Sequence, residues 1–285
     1  MMEMRGVSNR RRRAFALCVA SLCFASAAIS AGAGETPIAE QLAAAYPGII
    51  KEISGNAVVF ADGSTLPFDD GKGVKPFEQW LDDADIEDMF AQAYVKGAVP
   101  PPGPQHDPGR ARNEAFFLKV YGDCRKGEVA PKLVDVIWLP GKARQVLKVS
   151  PINGMAERLR AVSAELDALP ASFDRDLKTV ASTYNCRVIS GTKRLSAHAF
   201  GAAIDIAVRS TGYWRWQPPA VQAADHTKDL PPEIVAIFEK HGFIWGGKWR
   251  HFDTMHFEYR PELLPPETVT HAAADGAGAQ KAPAP

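Results

Sequence analysis

The sequence predicts an α+β fold. Helical spacing recurs at residues 77–94, 155–169 and 232–240, and short, partly antiparallel strands are expected in the segments between them. A small mixed or antiparallel sheet with flanking helices is the expected arrangement.

Residues 1–33 read as an export signal. Arg5 and Arg10 to Arg13 form a basic start, and the apolar stretch after them is too short for a comfortable membrane span. Ala31-Gly32-Ala33 offers the small residues that a signal peptidase needs, so cleavage after Ala33 is expected, with Ala25-Ser26-Ala27 as the competing site. Arg12-Arg13-Ala14-Phe15 also loosely resembles a twin-arginine signal. Neither Cys18 nor Cys23 follows a lipobox, so no stable membrane anchor is expected after cleavage.

Residues 34–109 are expected to form an N-terminal accessory segment. Residues 33–41 read as a mobile mature terminus. Apolar runs flank Asp62-Gly63 within residues 58–68, a hairpin signal. In residues 77–94, Trp80, Leu81, Ala84, Met89 and Phe90 share one helical face. Five prolines in residues 100–108 exclude regular helix and mark an extended connector, where a soft boundary falls.

Residues 110–265 form the second expected unit. Residues 115–121 are apolar and aromatic, and 133–139 have strand character. In 155–169, Leu159, Val162, Leu166 and Leu169 recur at helical intervals, while 180–189 are extended by composition. Pro232 opens a helix that runs to Lys240, and Gly242 lies just past its end. Residues 243–249 and 256–259 read as strands separated by a turn. Residues 266–285, rich in Ala, Gly and Pro, have little to bury and read as a disordered tail.

Composition narrows the function. Loss of the signal removes five Arg and one Glu, leaving 28 basic against 32 acidic side chains and a formal charge of −4. Nucleic-acid binders carry a basic footprint, so no nucleic-acid partner is expected. Cys124 and Cys186 are the cysteines that remain, and export takes them where disulfides persist. A bridge closing a loop of roughly sixty residues would stabilise by about 4 kcal/mol in the chain-entropy model. Two unpaired buried thiols are the alternative. Neither cysteine sits in a C-x2-C pair, which argues against metal ligation.

The chemistry concentrates in two segments, Ser196-Ala-His-Ala-Phe-Gly-Ala-Ala-Ile-Asp205 and Asp253-Thr-Met-His-Phe-Glu258. Two imidazoles and a carboxylate from His198, Asp205 and His256 suit a catalytic Zn2+, because three protein ligands leave a fourth tetrahedral position open. Zinc in such a site brings the pKa of a bound water toward neutrality.

The pattern S-x-H-x-x-G-x-A-x-D followed by D-x-x-H-F resembles the M15 family of zinc peptidases. That family includes the D-Ala-D-Ala carboxypeptidases and L-Ala-D-Glu endopeptidases that cut peptidoglycan stem peptides. Ser196, His198, Gly201, Ala203 and Asp205 fill the fixed positions of the first motif, and the resemblance spans about residues 114–264. It implies the Hedgehog/DD-peptidase fold, with residues 110–265 as the zinc peptidase domain. It implies Asp253 as general base and then acid, Arg187 as the cation beside the substrate carbonyl, and Ser196 as a substrate-binding hydroxyl. Glu258 is the runner-up base or a partner orienting His256, and His251 is left as a pocket residue.

The expected protein is therefore an exported, periplasmic or extracellular zinc metallopeptidase and a monomer. Peptidoglycan stem peptides are its expected partner, with D-alanyl-D-alanine carboxypeptidase as the expected activity. L-alanyl-D-glutamate endopeptidase is the close alternative, toward which the Asp of D-x-x-H leans. A non-catalytic zinc-stabilised cell-wall-binding module is the rival of a different class.

Overall fold

The structure, a computed structural model, describes residues 38–206 and 212–264. The export signal expected at 1–33 and the tail expected at 266–285 lie outside the described residues. The helices are α1 (Ile38–Ala45), α2 (Phe77–Asp82), α3 (Glu114–Tyr121), α4 (Met155–Asp167), α5 (Asp174–Leu177), α6 (Pro219–Gln222) and α7 (Pro232–Lys240). The strands are β1 (Ile50–Ser54), β2 (Ala57–Phe60), β3 (Thr65–Pro67), β4 (Val134–Trp138), β5 (Gln145–Val149), β6 (Val180–Ser182), β7 (Ala203–Ile206), β8 (Phe243–Trp245) and β9 (His256–Tyr259). They form three small antiparallel sheets, ordered β1-β2-β3, β4-β5 and β6-β7-β9-β8. Mixed helices and small antiparallel sheets make this an α+β fold. No helix among the described residues is long and apolar enough to cross a membrane.

Local chemistry accounts for most of these elements. Asp62-Gly63 turns β2 into β3: Gly63 has φ +82°, and Asp62 Oδ1 accepts from Ser64 N at 3.0 Å. Pro232 stands at the first turn of α7, where its missing N–H is harmless. In α4, Leu159, Val162 and Leu166 fall on one buried face. With Ile234 and Phe238 of α7, that face covers Ile204 and Ile206 of β7 and Phe257 of β9.

Two segments differ from expectation. The helical spacing at 77–94 yields only α2 and a short 3₁₀ turn at Glu87–Phe90. Asp85 and Asp88 cap one another's backbone N–H groups, and the ammonium of Lys75 sits between their carboxylates, so the chain bends there rather than continuing the helix. Residues 38–41, expected to be mobile, belong to α1. Leu42 is buried there, and Gln41 Nε2 donates to Glu262 O at 2.6 Å.

Segments before the proline-rich connector share a core with the residues around His198 and Asp205. Leu42, Tyr46, Val58 and Phe60 pack in one cluster with Phe116, Phe117, Phe200 and Ala202. Each fully buried Phe contributes about 1.5–3 kcal/mol. Arg260, fully buried, donates to Gly109 O at 2.5 Å and pairs with Glu262, which accepts from Tyr46 Oη at 2.9 Å. This network fixes the end of the connector, and with it the two arginines that follow.

Candidate active site

The central sheet assembles the site from sequence-distant strands. β7 is a short apolar strand between β6 and β9, with Ala203, Ile204 and Ile206 buried. Its register with β9 sets Asp205 opposite His256, and directly opposed side chains on one face are neighbours. His198 arrives from a 3₁₀ turn, Ala197–Phe200, that ends at Gly201 with φ +64°. A Cβ at Gly201 would lie 2.7 Å from Leu133 Cδ2 and 3.1 Å from the backbone N of Ser150. Only glycine meets both demands, and the turn it closes aims His198 at Asp205.

The three candidate ligands converge on one point. His198 Nε2 lies 3.1 Å from Asp205 Oδ1 and 3.2 Å from His256 Nδ1, and His256 Nδ1 lies 2.9 Å from Asp205 Oδ1. Ligand atoms about 2.0–2.1 Å from a shared tetrahedral centre stand roughly 3.3 Å apart, so the set fits a zinc ion. The outer nitrogens support the same reading. His198 Nδ1 is 3.3 Å from Thr183 O, and His256 Nε2 is 3.7 Å from Glu258 Oε2. With protons on those outer nitrogens, two lone pairs and a carboxylate face each other with no proton between them, an arrangement that calls for a cation.

The electrostatics draw positive charge to the same point, a proton on His256 in the metal-free site or a cation in its place. Burial opposes charge on both His256 and Asp205. It is outweighed, so that Asp205 is held well below the usual carboxylate range by the two imidazoles, and His256 is raised to about 10 by Asp205 and Glu258. Glu258 is fully buried, yet Arg112, His256 and Arg260 pull it down to about 2. It stands behind the imidazole as a fixed anion.

The three candidate ligands open onto a cavity of about 420 Å³ that Arg110, Arg112, Arg187, Ser196, Tyr213, Trp216, Trp249 and Asp253 also line. Asp253 reaches it from a turn held by two bonds, Asp253 N to Gly246 O at 3.0 Å and His256 N to Asp253 O at 3.1 Å. Gly246 is required there, since a Cβ would lie 2.6 Å from Asp253 O. Asp253 Oδ1 is buried without a hydrogen-bond partner, and burial, with the Asp205 charge, pushes the carboxyl up to about 6. Such a group is poised to take a proton. Ser196 is buried on the cavity wall, two residues from His198.

Arg187 has a different setting from the one expected. β6 ends at Ser182, so the extended character expected over 180–189 does not become a strand that reaches Arg187. Residues 187–196 instead form a loop closed by a Val188–Leu195 bridge and by Ser196 N donating to Arg187 O at 3.0 Å. Arg187 is exposed on the cavity lining, and among the described residues its guanidinium donates to Val188 O, at 3.5 Å. The Cys124–Cys186 disulfide braces the base of this loop against the segment after α3. His251 is not among the residues that line the cavity; its ring is bonded to Asp107 at 2.8 Å and stacked on Phe77.

Arg110 and Arg112 were missed by sequence reasoning. Arg112 Nη1 donates to Glu258 Oε2 at 2.8 Å. Arg110 lies over the Trp249 ring at 5.0 Å, donates to the His251 carbonyl, and adds its charge to the field on Asp253. An Arg-x-Arg pair straight after a proline-rich stretch was the signal that could have found them.

Residues 190–259 match the model of an M15 peptidase family described as D-alanyl-D-alanine carboxypeptidase. No curated protein and no solved structure matches the chain. The matched segment carries all three convergent ligands together with Ser196 and Asp253, and the match supports an M15-family peptidase.

Proposed function

We propose that the protein is an exported zinc metallopeptidase, on a Hedgehog/DD-peptidase fold, that hydrolyses the stem peptides of peptidoglycan. The proposed activity is D-alanyl-D-alanine carboxypeptidase, the activity named by the matching family. One observation carries the reading: His198, Asp205 and His256 converge in one cavity with Asp253, whose buried Oδ1 has no hydrogen-bond partner among the described residues, and with three arginines on its wall. A pure binding module needs no base.

When bound, a zinc ion held by His198, Asp205 and His256 would supply Lewis acidity and an acidified water. Asp253 takes the proton of the attacking water at its carboxylate and returns it to the leaving amine. Arg187 at the mouth and Arg110 on the wall offer fixed guanidinium donors to the substrate carboxylate and to the developing oxyanion. Ser196 orients the peptide from the cavity wall, two residues from His198. Glu258 keeps His256 in one tautomer and takes no proton itself.

The second reading is L-alanyl-D-glutamate endopeptidase, favoured by aspartate rather than glutamate at position 253. The experiment is mass analysis of defined muropeptides incubated with the exported protein, with and without chelator. Chelator-sensitive loss of the terminal D-alanine is expected. Release of the peptide after its first L-alanine selects the endopeptidase, and unchanged muropeptides overturn both.

A further inference from the structure

We propose that the mouth of the cavity holds a saccharide subsite built on Trp216, so that the substrate is a stem peptide still attached to its glycan. This rests on the stem-peptide reading above. Trp216 is 71% exposed, whereas Trp80, Trp138, Trp245 and Trp249 are buried and Trp214 is half-buried. An indole left open to water withholds an apolar burial that a ligand covering the ring recovers.

The ring is placed rather than loose. Trp216 packs against the edge of Tyr213 at 5.2 Å, and Trp216 N donates to Tyr213 O at 3.0 Å. Tyr213 itself pairs with Asp253 through a backbone bridge. On the other side, Arg215 lies over Trp214 at 5.2 Å and donates to Ser190 O at 2.6 Å, clamping the ledge to the Arg187 loop. A platform fixed before binding loses little entropy when it is covered.

The chemistry of the substrate selects the occupant. The alanine methyls of the stem peptide are too small to cover an indole and its carboxylates too polar, and its diamino acid, which could lie on the ring, is the competing occupant that the titration with free peptide scores. An N-acetylated pyranose presents a flat C–H face to an aromatic ring and a polar edge to surrounding donors. Trp216 supplies the ring, and Arg187, whose guanidinium has no carboxylate partner among the described residues, supplies donors on the same cavity. Val188, 46% exposed, extends the apolar side toward an acetamido methyl. An extended stem spans about 3.4 Å per residue. The glycan therefore lies one residue from the L-Ala–D-Glu bond but four residues from the terminal one.

The test follows the indole N–H signals of the exported protein by NMR during titration with the disaccharide of N-acetylglucosamine and N-acetylmuramic acid, and then with free stem pentapeptide. The Trp216 signal is identified by its absence in Trp216→Phe. Saturable movement with the disaccharide is expected, with binding about tenfold weaker in Trp216→Ala and largely kept in Trp216→Phe. No movement with the disaccharide, movement with the peptide alone, or undiminished binding by Trp216→Ala overturns the subsite. Hydrolysis is scored separately on the zinc-loaded protein. Cleavage without disaccharide binding removes the subsite and leaves the peptidase; binding without cleavage does the reverse.

Discussion

Arg112 Nη1 and Glu258 Oε2 lie 2.8 Å apart across 146 residues of sequence, a bond that ties the end of the proline-rich connector to the back of His256. Arg112 and Glu258 are both buried from solvent, with side-chain exposures of 9% and 0%. Removing one partner of such a pair strands the other charge in the interior. Arg260 at 3.6 Å softens the loss without replacing the bond.

Arg112→Gln is therefore expected to lower stability by about 3 kcal/mol, the lower end for breaking a buried pair. It should also weaken zinc binding 10- to 100-fold, roughly the effect of losing support behind a metal-binding histidine. Thermal unfolding and a chelator competition assay measure the two quantities. A variant with wild-type values in both would show that this contact does no positioning.

Asp253→Asn should fold, keep its zinc and lose turnover by at least about 10²-fold, as expected for removal of a positioned acid–base group. Glu258→Gln should instead weaken metal binding, because its carboxylate is absent from the cavity lining and stands behind His256. Steady-state kinetics beside zinc content separate the two. Normal turnover in Asp253→Asn with a zinc-replete but inactive Glu258→Gln would move the base to Glu258.

The disulfide gives a prediction of another kind. Cys124 and Cys186 are 62 residues apart in sequence, and a crosslink of that span stabilises by about 4 kcal/mol in the chain-entropy model. Cys186→Ser should lower the unfolding midpoint. Because Cys186 anchors the loop bearing Arg187, turnover should fall further than zinc content does. Proportional loss of both would mean that the loop position is irrelevant to the chemistry.

The legibility of the site in the sequence follows from how each residue is delivered. His198, Asp205 and His256 stand in two short motifs whose spacing survives because a tight turn and two paired strands bring them together with little intervening freedom. Gly201 was legible as a fixed position of the first motif, and its left-handed φ and close neighbours give the physical reason. Arg110 and Arg112 come from an irregular segment whose path is set by Arg260 bonding to Gly109 O and by packing against Trp249, and no periodicity encodes that. The setting of Arg187 was misjudged because extended composition at 180–189 does not reveal that the sheet stops at Ser182. The helix at 77–94 failed where polar capping by Asp85 and Asp88 overrode an apolar stripe.

Metal analysis of the purified protein beside His198→Ala and His256→Ala tests the central claim most directly. The account predicts one zinc per wild-type chain and near-complete loss in each variant, since three ligands cannot hold a catalytic ion when one is removed. Full zinc occupancy in both variants would contradict it.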